Sequence, residues 1–436
     1  MNEYRFGGVA GGCHGDPLLG RREFLAAGAG LVAGGGLWAL GARRSVGAPP
    51  PAAREGRTVT VGTVRELQRA VAEARAGDTI LVAPGTYAVE RDLRFEDKEQ
   101  VTLRGASGDP ADVVLRGGGW EGGSPRDVIT IRRSDDVVIA DLSIAEARMY
   151  GIKIEPYPRP PHPRNIHIHH CRFLNIATRA IKGTASSDRE PVVGGSVRFC
   201  TFENTKVPDP SWLFDGDYVS AIDMMFLKDW VFSDNVFRGI RGATGRGGGR
   251  GAIFVWNQSR DLLVERNLFV DCDRSIAFGN PSEPTNYEAG TLHVYDSTIR
   301  NNFIVVGAGK GIELCWVDGV GVYHNTVYSP NPQRRGIHCF QRIHRVHLAN
   351  NLVRGRLEYE GDVRAEGNVV GELEGYFVDP QEGDLHLTTR AASALGKGVP
   401  LPAVAEDIDG EPRRSPPDVG ADERYDPDGG RERSGT

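Results

Sequence analysis

Seven segments of the chain share one pattern, a small residue followed by isoleucine: Gly151-Ile152, Ala180-Ile181, Ala221-Ile222, Ala252-Ile253, Ser275-Ile276, Gly311-Ile312 and Gly336-Ile337. If each isoleucine points into a core, the next residue points out, and so does the residue two further on. The first outward column is then Lys153, Lys182, Asp223, Phe254, Ala277, Glu313 and His338. The second is Glu155, Thr184, Met225, Trp256, Gly279, Cys315 and Phe340. An amine or imidazole beside a carboxylate is equipment for proton transfer. Lys182 with Asp223, and Glu313 with His338, are the two such pairs. Aromatic rings in line with charges suit sugars, whose pyranose faces stack on them. Phe254 and Trp256 are the expected platform, and Lys153 is a further expected substrate contact.

A column of this kind needs a stack of equivalent strands. A second repeat, apolar-x-apolar-x-x-Asn-x-apolar, supplies it at Trp230–Phe237, Leu262–Phe269, Val320–Val327 and Val346–Val353. Ser297–Ile304 and Val363–Val370 are weaker copies, and earlier copies put Leu142, Cys171 and Cys200 at the Asn position. The steps from Leu142 through Cys171, Cys200, Asn235, Asn267, Asn302, Asn325 and Asn351 to Asn368 are 29, 29, 35, 32, 35, 23, 26 and 17 residues. Period-two alternation means strands, and short strands at this spacing form a β-solenoid. Each coil carries at least two strands in fixed order, with insertions at one corner. The expected fold is therefore all-β, a right-handed parallel β-helix with coils about 4.8 Å apart. An Asn at a repeated inward corner bonds the turn backbone and its own copy one coil away, which makes the ladder structural. Cys171 and Cys200 replace Asn on adjacent coils, where either a disulfide or two buried thiols would fit.

Solenoid ends expose unpaired strands and need covering. Residues 63–76 read as an N-terminal capping helix with Val64, Leu67, Ala70, Val71 and Ala74 on one face. Thr63 with Glu66 fits a capping box, and Gly77 fits the stop. Gly77 to Tyr87 reads as a first coil and Gly383 to Thr388 as a last strand. The β-helix domain is placed at 57–425, and the polar residues 426–436 read as a disordered tail.

At the other end, Arg21-Arg22-Glu23-Phe24-Leu25 precedes a mildly apolar run from Ala26 to Leu40. That run is shorter than the roughly 20 residues of a membrane-spanning helix. It resembles a twin-arginine export signal, so residues 1–50 read as signal and linker. The mature chain is then expected in the periplasm or outside the cell, without stable membrane insertion. Glycine accounts for 57 of 436 residues and net charge is only −6, which excludes disorder; the glycines lack the three-residue period of collagen. A pI near 6.0 argues against nucleic acid as a partner. The chain is expected to be a monomer.

Two insertions, Glu203 to Val219 and Arg238 to Arg250, fall at equivalent corners just before the strands bearing Asp223, Phe254 and Trp256. Loops on a rigid scaffold build binding sites. Gly245 to Gly251 is flexible enough for a lid. Asp223 and Glu313 would be three coils apart, about 14 Å, too far for a glycosidase carboxylate pair. The spacing permits an elimination in which Lys182 or His338 removes a proton, while Asp223 or Glu313 orients the base or holds Ca²⁺. His162, His167, His169 and His170 suggest a metal cluster, but alternate strand faces separate them. Asp271 and Asp273 suggest either a cation contact or a turn.

The opening AGDTILVAPGTY, the serial Asn-x-apolar coils and the closing DIDGEPRRSPPDVGADE resemble the pectate-lyase-like superfamily of right-handed parallel β-helix proteins. The resemblance runs from about Val59 to Asp422. The central block, from SAIDMMFLKDWVFSDNVFRGI to GIELCWVDGVGVYHNTVY, resembles a secreted bacterial subfamily of such repeat proteins. Enzymes of this superfamily act mostly on acidic or decorated polysaccharides, often with Lys or Arg as base and calcium neutralising a uronate. The resemblance thus implies a carbohydrate-active protein, foremost a polysaccharide lyase cleaving a uronate polymer by β-elimination. A non-catalytic glycan-binding protein and a polysaccharide hydrolase are the alternatives.

Overall fold

The computed structural model describes residues 56–122, 124–155, 161–187, 189–284 and 291–425. The export signal and the polar tail read from the sequence lie outside these residues. Nearly every strand pairs in parallel with the strand one coil onward. Arg164–His169, Arg172–Ile176 and Arg179–Gly183 form one coil, and they pair with Val192–Arg198, Thr201–Glu203 and Ser220–Met225 of the next. Three parallel faces result, and the chain is the expected parallel β-helix. Its interior is a continuous stack of Ile, Val, Leu and Phe, because period-two alternation sends one side of every strand inward. Phe173, Phe202, Phe237 and Phe269 stack face to face at 4.7–4.8 Å, one coil apart.

The Asn ladder forms one corner. Asn235 Nδ2 donates to Asn267 Oδ1 at 2.9 Å, Asn267 to Asn302 at 3.0 Å, and Asn302 to Asn325 at 2.8 Å. Asn325 to Asn351 follows at 3.0 Å and Asn351 to Asn368 at 2.8 Å. Each Oδ1 also accepts the backbone N–H of the preceding rung. The residue before each rung has positive φ: Asp234, Arg266, Asn301, His324, Asn350 and Gly367. Left-handed backbone is what turns the corner, and Asn, Asp, His and Gly accept it most readily. His170 and Phe199 do the same before Cys171 and Cys200, which are free, buried thiols.

The helix spans Val64–Glu73 and buries Leu67 and Val71. It lies against Thr58–Val61, Thr79–Val82 and Leu93–Glu96. Thr63 accepts from Glu66 N at 3.2 Å, and Glu66 accepts from Gly62 N at 3.0 Å. It stops before the expected Ala76 because Lys98 Nζ takes the carbonyls of Ala72 and Ala74, where the chain turns extended. Val59 sits within the first strand, Thr58–Val61, which pairs with Thr79–Val82.

The far end differs from expectation. Asp384–Leu387 is not a coil strand; it pairs antiparallel with Phe377–Asp379. This hairpin and the closing segment lie along the side of the helix, with Phe377, Leu385, Ile408 and Val419 packed on Leu268, Phe303 and Leu352. Among the described residues, Arg356–Tyr359, Val363–Glu366 and Val369–Val370 have no strand beyond them. The last coil is therefore an open edge. No helix among the described residues is long and apolar enough to cross a membrane.

Candidate functional site

The small-Ile repeat stacks in register, Ile152 on Ile181, Ile222, Ile253, Ile276, Ile312 and Ile337 in turn. The residue after each is carried along, so Lys153, Lys182, Asp223, Phe254, Ala277, Glu313 and His338 form one continuous column. Asp223 and Glu313 are three coils apart, and the column does not bring them together as a hydrolytic pair.

The column lies outside the isoleucine core, yet it is not open. Phe254 is 2% exposed, and Asp223 and Glu313 are 0% and 1%. The expected exposed pair of rings thus reduces to Trp256, which is half-buried and stacked on Phe254 at 5.5 Å. The cover comes from the two insertions. Tyr218, at the end of the first, meets Phe254 edge-on at 6.2 Å. Asp217 accepts from Thr244 N at 2.7 Å and Thr244 Oγ1 at 2.6 Å, which ties one insertion to the other. Asp273 accepts from Gly242 N and Gly249 N at 2.9 Å, closing the neck of the glycine-rich loop. Asp273 is thus a loop latch, and Asp271 pairs with Arg241 at 3.1 Å.

Asp223 is the hub. Its Oδ1 accepts from Lys182 Nζ at 2.9 Å and Trp256 Nε1 at 3.1 Å. Its Oδ2 accepts from Arg179 Nε and the Tyr218 hydroxyl, both at 3.0 Å. The Arg179 guanidinium also lies 3.9 Å from the Tyr218 ring centre, with Arg250 5.0 Å from the same ring. Burial opposes the ionised form of Asp223, but Lys182 and Arg179 outweigh it and hold the carboxyl below its ordinary range. Burial also pushes the Lys182 ammonium down; Asp223 restores only part, and the net direction is below an ordinary lysine. Tyr218 is raised by burial and then by Asp223, so its phenol keeps its proton.

The second expected pair is arranged differently. Glu313 is engaged by Arg274 Nη1 at 2.9 Å and by Lys310, rather than by His338. His338 stacks on Phe340 with ring centres 4.4 Å apart. Burial, then Lys310 and Arg335, push its pKa down to about 4. Lys153, next to Lys182 in the column, pairs with Glu155 and lies 3.9 Å from Asp127.

These donor sets do not fit calcium. Asp223 and Glu313 each hold two cationic side chains where a dication would stand, and hard-cation sites need free oxygen ligands. The four histidines singled out in the sequence go separate ways. His162 Nε2 meets Ser186 and His167 Nδ1 meets Ser196, both at 2.9 Å. His170 meets Asp141 at 3.0 Å, and His169 lies edge-on to Phe199. Among the described residues, one His/Asp group has ligand atoms close enough for a metal: His386, Asp409 and Asp422, in the closing segment. There His386 bonds Asp384 through Nδ1 at 2.5 Å and Asp409 through Nε2 at 3.0 Å, the pattern of a paired imidazolium.

Arg179, Tyr218, Arg274 and Lys310 were missed in the sequence. Arg179, Arg274 and Lys310 sit two residues before the isoleucine, where strict alternation points inward. In each coil, however, the small residue and the isoleucine after it are both buried, as at Ala180-Ile181 and Ser275-Ile276. That doubled burial flips the preceding residue outward. The invariably small size of the first member was the available signal.

No protein-family model matches the chain, and no curated protein matches it. Among solved structures, an alginate lyase from Paenibacillus sp. is 15% identical, covering 71% of this chain and 99% of that one, with a TM-score of 0.39. A family 6 polysaccharide lyase from Pseudopedobacter saltans is 14% identical, covering 76% and 96%, at 0.43. A pectate lyase is 12% identical, covering 82% and 90%, at 0.41. The strand register itself establishes the fold, a parallel β-helix, and the likeness to these structures adds nothing about the reaction.

Proposed function

We propose that this protein is an exported polysaccharide lyase that cleaves a uronate polymer by β-elimination at the Asp223 hub. The observation that supports this most is a lysine with lowered proton affinity, Lys182, fixed beside Arg179 and a protonated Tyr218 at the foot of a half-buried tryptophan. In its neutral form Lys182 donates one N–H to Asp223 and keeps a lone pair for the carbon acid. It takes the proton from the carbon bearing the uronate carboxylate. The electron pair left behind forms the new double bond as the glycosidic C–O bond breaks, and the departing oxygen takes up a proton. Arg179 supplies charge for the carboxylate, and Tyr218 is the proton donor. Trp256 is the sugar platform, with Phe254 as its backing ring and Lys153 as a contact on the neighbouring coil.

Glu313 and His338 stand outside this hub and serve binding. Asp223 and Glu313 are already held by cationic side chains, so the proposed elimination needs no calcium at these carboxylates, and adding Ca²⁺ tests this. Export through the twin-arginine-type signal, a periplasmic or extracellular location and a monomeric state belong to the same proposal. A second reading, glycan binding without catalysis, draws on the saturation of Asp223 by four donors.

The test is incubation of the mature chain with uronate polysaccharides, with and without Ca²⁺, following ultraviolet absorbance and reducing ends together. Both should rise, and Lys182→Ala should lower the rate by at least about 100-fold. New ends without absorbance would replace elimination by hydrolysis. Binding without either signal would favour the non-catalytic reading.

A further inference from the structure

A second column runs beside the first, two residues before each isoleucine. Its C-terminal half is a run of cations on four successive coils: Arg274, Lys310, Arg335 and, one residue before Leu357 across a register shift, Arg356. Arg274 is the register partner of Lys310, and Arg335 of Arg356. Lys310 and Arg335 stand two residues before Ile312 and Ile337, which are themselves paired. Like charges directly opposite on neighbouring strands repel, so such a run is not what stability alone selects. Two carboxylates answer the four cations. Glu313 takes Arg274 and Lys310, and Glu358 takes Arg335 Nε at 2.6 Å and Arg356 Nη1 at 3.0 Å. The imidazole between them, His338, is kept neutral by its burial and by Lys310 and Arg335. The strip therefore retains an excess of two positive charges.

Exposure rises along the strip. The side chains of Arg274 and Lys310 are 15% and 20% exposed, and those of Arg335 and Arg356 are 39% and 47%. It begins two coils past the hub, on the far side of Phe254 and Trp256, and runs out at the last coil. The N-terminal half of the same column reads Asp127, Tyr150, Arg179 and Ser220, which is mixed in character. The cationic run is thus confined to one side of the hub and ends where a long chain can leave the molecule.

We propose that Arg274, Lys310, Arg335 and Arg356 form a track for an acidic polysaccharide, holding carboxylates of the stretch beyond the cleaved bond at the repeat of the coils. The proposal rests on the reading of the substrate as a uronate polymer. It adds where the uncleaved part lies and assigns the charge recognition of that part to residues that take no part in proton transfer. Repeated guanidinium and ammonium groups at about 4.8 Å match a polymer charged on successive sugars and give a neutral glucan nothing to pair with.

The experiment measures binding of polygalacturonate, alginate and neutral dextran by titration calorimetry and affinity electrophoresis across a salt series. Wild type is compared with Arg335→Gln/Arg356→Gln and with Arg335→Lys/Arg356→Lys. The glutamine variant should bind the polyuronates about tenfold more weakly, with a shallower salt dependence. The lysine variant should retain most of the affinity, and dextran should bind to none. Both altered residues are partly exposed, so an unchanged circular dichroism melt is expected. Polyuronate affinity equal to wild type in the glutamine variant, or dextran binding equal to polyuronate binding, would overturn the track. Lys182→Ala separates the two claims. Retained binding with cleavage abolished supports both. Wild type that binds without cleaving leaves the track standing while the lyase reading fails. Cleavage with no change of KM in the glutamine variant removes the track alone.

Discussion

At the residue scale the proposed chemistry depends on Asp223. It is fully buried and accepts from Lys182, Arg179, Tyr218 and Trp256, so four side chains of the proposed site share one anchor. Asp223→Asn leaves Lys182 and Arg179 without their counter-charge, and breaking a buried ion group costs about 3–5 kcal/mol. Urea unfolding of the variant should show that loss. The folded pKa of Asp223 is depressed. Its contribution to stability is therefore complete above the unfolded value near 3.9 and disappears as pH falls through the folded value. Lys182 titrates in the opposite sense for catalysis. Its neutral form is the proposed base, so kcat should rise with pH through a pKa below the ordinary 10.5. The Lys182–Asp223 contact was legible in the sequence because coil register follows from a repeat that can be counted. Arg179 and Tyr218 were not, the first because a corner breaks the alternation and the second because an insertion has no repeat to count.

At the element scale the ladder is the most regular device. Asn302 accepts from Asn267 N and Nδ2 and donates to Asn325. Asn302→Ala strands buried donors and should cost about 2–3 kcal/mol, whereas Asn368→Ala, at the open end, should cost about 1. Thermal or chemical unfolding of the two variants decides this. The ladder itself was readable from spacing, since a buried amide recurring at a corner has few other ways to be satisfied. The positive φ before every rung was not read, although Asp, Asn, His and Gly at those places were its trace.

The closing segment was recognised as a sequence but not placed, because nothing in it repeats. Within it His386 is 13% exposed at its side chain and bonded to Asp384 and Asp409. Burial lowers its affinity for the proton, yet the two carboxylates outweigh this and raise its pKa to about 10. The stability it lends is complete below the unfolded pKa near 6.5 and is lost as pH rises toward 10. The melting temperature should fall across that window, and His386→Gln should flatten the fall.

At the scale of the whole molecule, one continuous interior runs from Val61 to Val353; four of the five described cysteines are buried in it as free thiols, and Cys315 is buried in a separate cluster with Leu292 and Trp316. Thiol reagents should leave these five unlabelled in the native protein and modify all of them once it is unfolded; labelling of any of them in the native state would mean that coils open locally. The insertions and the hub belong to the middle of this stack, and the cationic strip to its later coils. The proposed site and track are thus laid out by distance along an axis, which a linear repeat permits and a compact core does not. Among the described residues, the last coil, Arg356 to Val370, ends with its strands unmatched while the closing hairpin lies to the side. Nothing in this arrangement fixes how many turns the molecule has. A copy of the 26-residue unit between Asn325 and Asn351, spliced in at a rung, would find a matching floor and a matching ceiling. Length is therefore an adjustable property of the scaffold, and a lineage or a designer could lengthen the groove one turn at a time.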